Sequence, residues 1–138
     1  MKWDAVLVAL TDVVTQDTAL VAVYGDAMRM AGTDTHRVPV LEWFLVADGE
    51  DELWDNITVQ LDQWTATAAD LWASERRLRQ LFHQELPASM GGMSMWMQYQ
   101  DGAALTVPDR DGYFGRAIRF KFTPLRELYE PSPTTQGS

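Results

Sequence analysis

Cysteine is absent from the chain, so disulfide staples, thiolate nucleophiles and cysteine-bearing metal sites are excluded. Basic residues are scarce: 11 Lys and Arg stand against 20 Asp and Glu, for a formal net charge of −9. A surface that grips nucleic acid needs clustered cations, and this balance argues against one. The same balance suits a surface past which nucleic acid slides, because acidic walls repel phosphates; it equally suits the plain solubility of an acidic domain. The two histidines, His36 and His83, share no motif. No apolar run approaches the ~20 residues of a membrane-crossing helix. Met1-Lys2-Trp3-Asp4 lacks the charged and apolar regions of a signal peptide, so a soluble protein is expected. There is no G-x-S-x-G elbow, no H-E-x-x-H and no glycine-rich phosphate loop.

What is present is enough for a core. With 138 residues, 46% of them hydrophobic, the chain reads as one domain over residues 1–130 followed by a flexible Pro-Ser tail over 131–138. The organising stretch is Asn56-Ile57-Thr58-Val59-Gln60-Leu61-Asp62-Gln63-Trp64. Ile57, Val59 and Leu61 alternate with polar residues, which describes a strand with one buried face. At Thr65 the period changes. Leu71, Glu75, Leu78, Leu81, Phe82 and Leu86 follow helical spacing, with Thr65 or Thr67 as the cap, and predict a helix of about five turns.

Before this unit, Trp3, Val6, Leu7, Leu10, Val13 and Val14 form the apolar stripe of a helix over residues 3–15. Asp17-Thr18 caps a short helical piece that Gly25 stops, and residues 25–38 read as a connection with at most a short strand. Val40 to Val46 predicts a strand; Glu42 sets Leu41, Trp43 and Leu45 inward and Val40, Glu42, Phe44 and Val46 outward. The acids Asp48, Glu50, Asp51, Glu52 and Asp55, around Leu53-Trp54, read as a long hairpin loop. After the helix, Met93, Met95, Met97 and Tyr99 alternate with Ser94, Trp96 and Gln98 in a third strand. Asp101-Gly102 signals a hairpin, and Arg116 to Thr123 is the last strand. The expected fold is α+β: a mainly antiparallel four-stranded sheet with helices packed on one face, in the order α-β-β-α-β-β.

No catalytic constellation has motif strength. His36 lacks ligand partners, His83 lies on the helix, and the methionine stripe reads as core rather than metal site, so no metal or cofactor is expected. The sheet's second face carries the signal instead: Phe44, Gln60, Asp62, Trp64, Trp96, Arg119 and Lys121 interleave aromatic and charged groups there. That is the composition of an assembly interface.

The stretches Asp-Thr-Ala-Leu-Val-Ala-Val-Tyr-Gly-Asp, Val-Pro-Val-Leu-Glu-Trp, Ile-Thr-Val-Gln-Leu-Asp-Gln-Trp and Gly-Arg-Ala-Ile-Arg-Phe-Lys-Phe occur in this order. In order and spacing, over residues 3–123, the chain resembles the tail-terminator (tail-completion) proteins of long-tailed bacteriophages of the siphovirus kind. Asp62-Gln63-Trp64 matches the end of the family's second strand, and Arg119-Phe120-Lys121 its last strand. The resemblance implies an α+β fold and a non-enzymatic homo-hexameric ring. Such a ring caps the tail tube, stops its polymerisation, and meets the head-completion or stopper protein at the head-tail junction of the virion. DNA passes through it without specific binding. The acidic segment and the Pro-Ser tail depart from the family pattern. With too few cations to pair with, the five acids are expected to face water, at the ring's channel or its rim. The alternatives are another neck or minor tail protein, or a small ligand-binding or hydrolytic α+β domain, which requires an apolar pocket with converging polar groups.

Overall fold

A computed structural model of the chain describes residues 2–31, 38–50, 55–105 and 112–124. Helices α1 (Lys2–Gln16) and α2 (Thr18–Tyr24) lead into the short strand β1 (Met28–Met30) and then β2 (Val40–Glu50) and β3 (Asp55–Thr65). Helix α3 (Ala68–Phe82) follows, and β4 (Ala88–Met90), β5 (Met93–Leu105) and β6 (Phe114–Pro124) complete the described fold. The expectation of four antiparallel strands is wrong. The strands form one curled six-stranded sheet in the order β1-β2-β3-β6-β5-β4, mixed because β1 pairs parallel to β2.

Two causes account for the difference. Strands β1 and β4 have three residues each, too short for any period to announce them, and they exist because a neighbour's free edge accepts them. Short edge strands also limit how much open ladder the sheet presents. The second cause is Asp101-Gly102, which makes no hairpin. The ladder to β6 shifts register between Tyr99 and Asp101 and then continues from Asp101↔Arg119 to Leu105↔Gly115, so β5 is one bulged strand. The actual tight hairpin is Gly91-Gly92 between β4 and β5, with φ of 61° and 79°. Positive φ at both positions is what a two-residue hairpin turn demands. A side chain at Gly91 would also run into Ala9 of α1, its Cβ only 2.5 Å from the alanine Cβ.

The three helices cover one face of the sheet. Val6, Leu10 and Val14 of α1, Leu20 of α2 and Leu78 and Phe82 of α3 are fully buried on Leu41, Trp43, Val59, Leu61, Ile118, Phe120 and Phe122. The methionine stripe is core, with Met95 and Met97 buried in the same cluster. Phe82 meets Phe120 and Phe122 edge-on, at centroid distances of 5.8 and 5.5 Å. Thr67 caps α3, its hydroxyl accepting from Asp70 N–H at 3.1 Å. The helix stops at Phe82, about four turns rather than five, and Leu86 is exposed.

Leu45 keeps the expected side, as the register partner of the buried Val59, but it is exposed rather than core; the register shifts only after it, between Leu45 and Ala47, and Val46 is exposed as expected. The acidic stretch is not a long loop either: β2 runs through Asp48 and Glu50, paired with Ile57 and Asp55. Asp51 and Glu52 lie outside the described residues, as do His36 and residues 131–138.

Candidate assembly surfaces

Among the described residues, the face of the sheet away from the three helices divides into a hydrophobic end and a polar middle. At one end, the register aligns Val40 of β2, Trp64 of β3, Gly115 of β6 and Leu105 of β5 in a row. Ala27 and Val38 join them, and Trp64 is only 3% exposed. Trp64 therefore stands on the face expected of it but is buried inside the subunit, and it has no surface left to contribute to an interface. The reason is Gly115, whose missing side chain leaves the space the indole fills.

The polar middle collects Gln60, Asp62 and Arg119. Arg119 Nε donates to Gln60 Oε1 at 3.0 Å, and Gln60 Nε2 donates to Asp62 Oδ1 at 2.7 Å. Lys121 follows opposite Thr58 and Gln98, Trp96 stands opposite Thr123, and Phe44 stands opposite Gln60. Phe44, Trp96 and Lys121 are half-buried and Arg119 is exposed. At the edge Arg29 pairs with Glu42 at 3.4 Å. The aromatic and cationic groups thus share one surface, while a hydrogen-bonded chain of side chains fixes its centre.

On the covered face, polar groups that the sequence left unassigned form two networks. Tyr24 donates to Ser74 Oγ at 2.6 Å and Ser74 donates to Gln63 Oε1 at 2.7 Å, all three buried between α2, α3 and β3. Burial drives the Tyr24 phenol far above its ordinary pKa, so it stays a donor. Glu75, 4% exposed, accepts from Arg116 Nε of β6 and, at 2.9 Å, from Arg79 one turn along its own helix. Arg79 also lies over the Tyr99 ring, 3.8 Å from its centroid. An acid inside an otherwise apolar helical stripe was the available signal, because a buried carboxylate requires a cation. What the sequence withheld was that the cation comes from position 116.

His83 has a structural task. It is the C-cap of α3, and its Nδ1 accepts from Tyr99 N–H at 2.9 Å, next to the β5 bulge. Among the described residues, no three His, Asp or Glu side chains gather into a metal-binding group. An open depression on α3 is lined by Trp72, Glu75, Arg76 and Arg79. No single helix among the described residues is long and apolar enough to cross a membrane; α1 and α2 together would be, but they are bent by 76° to each other.

This architecture defines a class: a curled α+β sheet covered by helices on one face and carrying interleaved aromatic, polar and charged side chains on the other. The fold has solved counterparts. A chain in a structure described as the virion of a native gene transfer agent particle aligns with a TM-score of 0.66 at 13% identity, over 89% of this chain and 96% of its own. A second solved protein aligns with a TM-score of 0.55 at 16% identity, over 91% of this chain and 97% of its own. No protein-family profile and no curated protein matches the sequence.

Proposed function

We propose that this chain is a structural component of a virion, and specifically a tail terminator. In this reading it forms a homo-hexameric ring that caps the tail tube, halts its polymerisation and joins the tail to head-completion proteins at the head-tail junction. The carrying observation is the likeness in fold to a gene transfer agent virion chain, which extends over nearly the whole length of both. The order of strand and helix segments that resembles tail terminators points the same way. Its work is binding: no chemical step, cofactor or metal enters, and DNA passes without a specific contact.

The polar middle of the face away from the helices fits such work. Phe44 and Trp96 gain by desolvation against a partner, Arg119 and Lys121 offer it cationic contacts, and the Arg119–Gln60–Asp62 chain holds the centre in place before contact, which lowers the ordering cost. A subunit in a ring also presents different surfaces above and below, so one chain can serve tube and head. Native mass spectrometry and negative-stain imaging of the purified chain test this reading, and a closed six-fold ring is expected. Imaging of intact particles should place that ring between tube and head. A chain that remains monomeric at all concentrations, or lies elsewhere in the particle, overturns it.

A further inference from the structure

Each side of the sheet is an edge that its short outer strand covers only in part. On β5, β4 pairs with Met93 to Met95 alone, and the chain leaving α3 takes the next stretch: Gln84 N–H donates to Met97 O at 3.0 Å and Tyr99 N–H to His83 Nδ1 at 2.9 Å. An antiparallel ladder turns alternate residues toward each neighbour, so Met97 and Tyr99 face outward. Past the bulge between Tyr99 and Asp101 the outward residues are Gly102 and Ala104. Their N–H and C=O groups meet no neighbouring strand among the described residues. Asp101 to Leu105 also contains no Lys and no Pro, the residues that blunt an open edge.

On the opposite side, β1 covers β2 only as far as Trp43. Leu41 N–H donates to Ala27 O at 2.9 Å and Ala31 N–H to Trp43 O at 2.8 Å, which makes Leu45 the next outward residue. From Leu45 to the end of β2 no strand pairs on that side among the described residues, and Leu45 and Val46 are exposed there.

The two open stretches stand at opposite ends of the sheet. Leu45 is level with Val59 of β3, whereas Ala104, through Arg116, is level with Gln63. Within one subunit β3 and β6 separate them, but between copies they fit. Strands β2 and β5 run in opposite directions, so β2 of one copy beside β5 of the next makes an antiparallel pair. Leu45 and Ala104 then share the helix-covered side, as their partners Val59 and Arg116 do. With these two residues abreast, β1 of one copy lies past Leu105 and β4 of the other lies past the end of β2, so neither obstructs the joint. The offset from Val59 to Gln63 is about 13 Å along the strand, against a width of about 19 Å for the four strands β2, β3, β6 and β5. That ratio tilts the strands by roughly 35°, a tilt at which sheets close on themselves.

We propose that the outer edge of β5, Asp101 to Leu105, pairs by backbone hydrogen bonds with the open end of β2, from Leu45 onward, in a second copy of this chain. The contact joins two different edges, so it is heterologous, and a repeated heterologous contact closes into a ring. Burial of Leu45 and Val46 adds apolar area to the backbone bonds. The proposal rests on the ring reading above and supplies the contact that builds it.

Because the chain has no cysteine, cross-linking of the full chain reads the contact directly. Leu45→Cys and Ala104→Cys combined in one chain should give a ladder of covalent multimers under mild oxidation or with a short bis-maleimide, whereas either substitution alone should give none. Ala104→Pro removes an outward N–H and leaves the ladder to β6 intact. It should weaken self-association, measured by sedimentation, at least about tenfold with the melting temperature kept; Ala104→Ser, which retains the N–H, should associate as wild type does. Absence of the ladder in the double variant overturns the proposal, whatever Ala104→Pro does to folding. So does unchanged association in a folded Ala104→Pro, or cross-linking of Ala104→Cys alone, which would pair β5 with itself about a two-fold axis. A wild-type chain that never associates defeats the ring reading and this contact with it, whereas a six-fold ring that persists in Ala104→Pro defeats only the contact.

Discussion

Trp64 of β3 and Gly115 of β6 are register partners, and the indole occupies the space a side chain at position 115 would need. A Cβ built on Gly115 would stand 2.6 and 2.7 Å from Trp64 Cε3 and Cη2. Gly115→Ala must therefore displace a ring that Val40 and Ala27 also hold. A loss of about 1–3 kcal/mol is expected by urea unfolding, the usual size for overpacking. An unchanged midpoint would mean that the indole moves freely.

The same burial separates folding from assembly on this face. Trp64→Ala should lower stability by about 3–5 kcal/mol, since it empties a packed site. Trp96→Ala and Arg119→Ala should leave the thermal midpoint nearly unchanged and weaken association of the purified chain. Normal association in both variants would remove the polar middle from the interface.

Glu75 holds two arginines of unequal exposure, and the variants should rank accordingly. Glu75→Ala leaves Arg116 without its carboxylate on the covered face and should cost about 2 kcal/mol. Arg79→Ala removes a group whose side chain is 44% exposed and should cost under about 1 kcal/mol. Urea unfolding of the two variants measures the order, and a reversed order would show that the Arg79–Tyr99 stacking outweighs the buried pair.

Asp17 makes stability depend on acid pH. The hydrogen-bonded Arg77 guanidinium is the main cause holding its pKa below the ordinary 3.8, and the Leu20 N–H at the start of α2 helps. A folded-state pKa below the unfolded one contributes stability that is complete above the unfolded value and fades as pH falls below it through the folded value. Wild type should therefore exceed Asp17→Asn in stability at neutral pH, and the gap should close as pH drops below about 4. Asparagine still caps a helix, so the comparison isolates the charge. A gap that does not shrink at all as pH falls below about 4 would contradict the ion pair as its source.

Local pattern was sufficient for the long elements because their periods are produced by burial on one side. The stripe Val6, Leu7, Leu10, Val14 and the alternation Ile57, Val59, Leu61 both lie in the core, and Thr67 caps the helix it precedes. The end of β2 escaped that logic, since a bulge after Leu45 shifts Ala47 and the residues beyond it by one place and no local residue type announces the shift. Asp101-Gly102 misled for a related reason. Its turn chemistry is favourable in isolation, but the β6 ladder on its flank offers a continuous set of backbone partners that a hairpin there would forfeit.

Composition and period thus determined by themselves that the chain has a helix-covered sheet core, no thiol chemistry, and an interleaved aromatic and charged face. These properties follow from side-chain type and from spacing along one segment. Tertiary structure alone decided that β1 and β4 complete a mixed sheet, that Trp64 belongs to the subunit, and that Glu75 answers to Arg116. Each of these depends on which distant strand lies alongside, and that choice minimises the free energy of the whole chain rather than of any window within it.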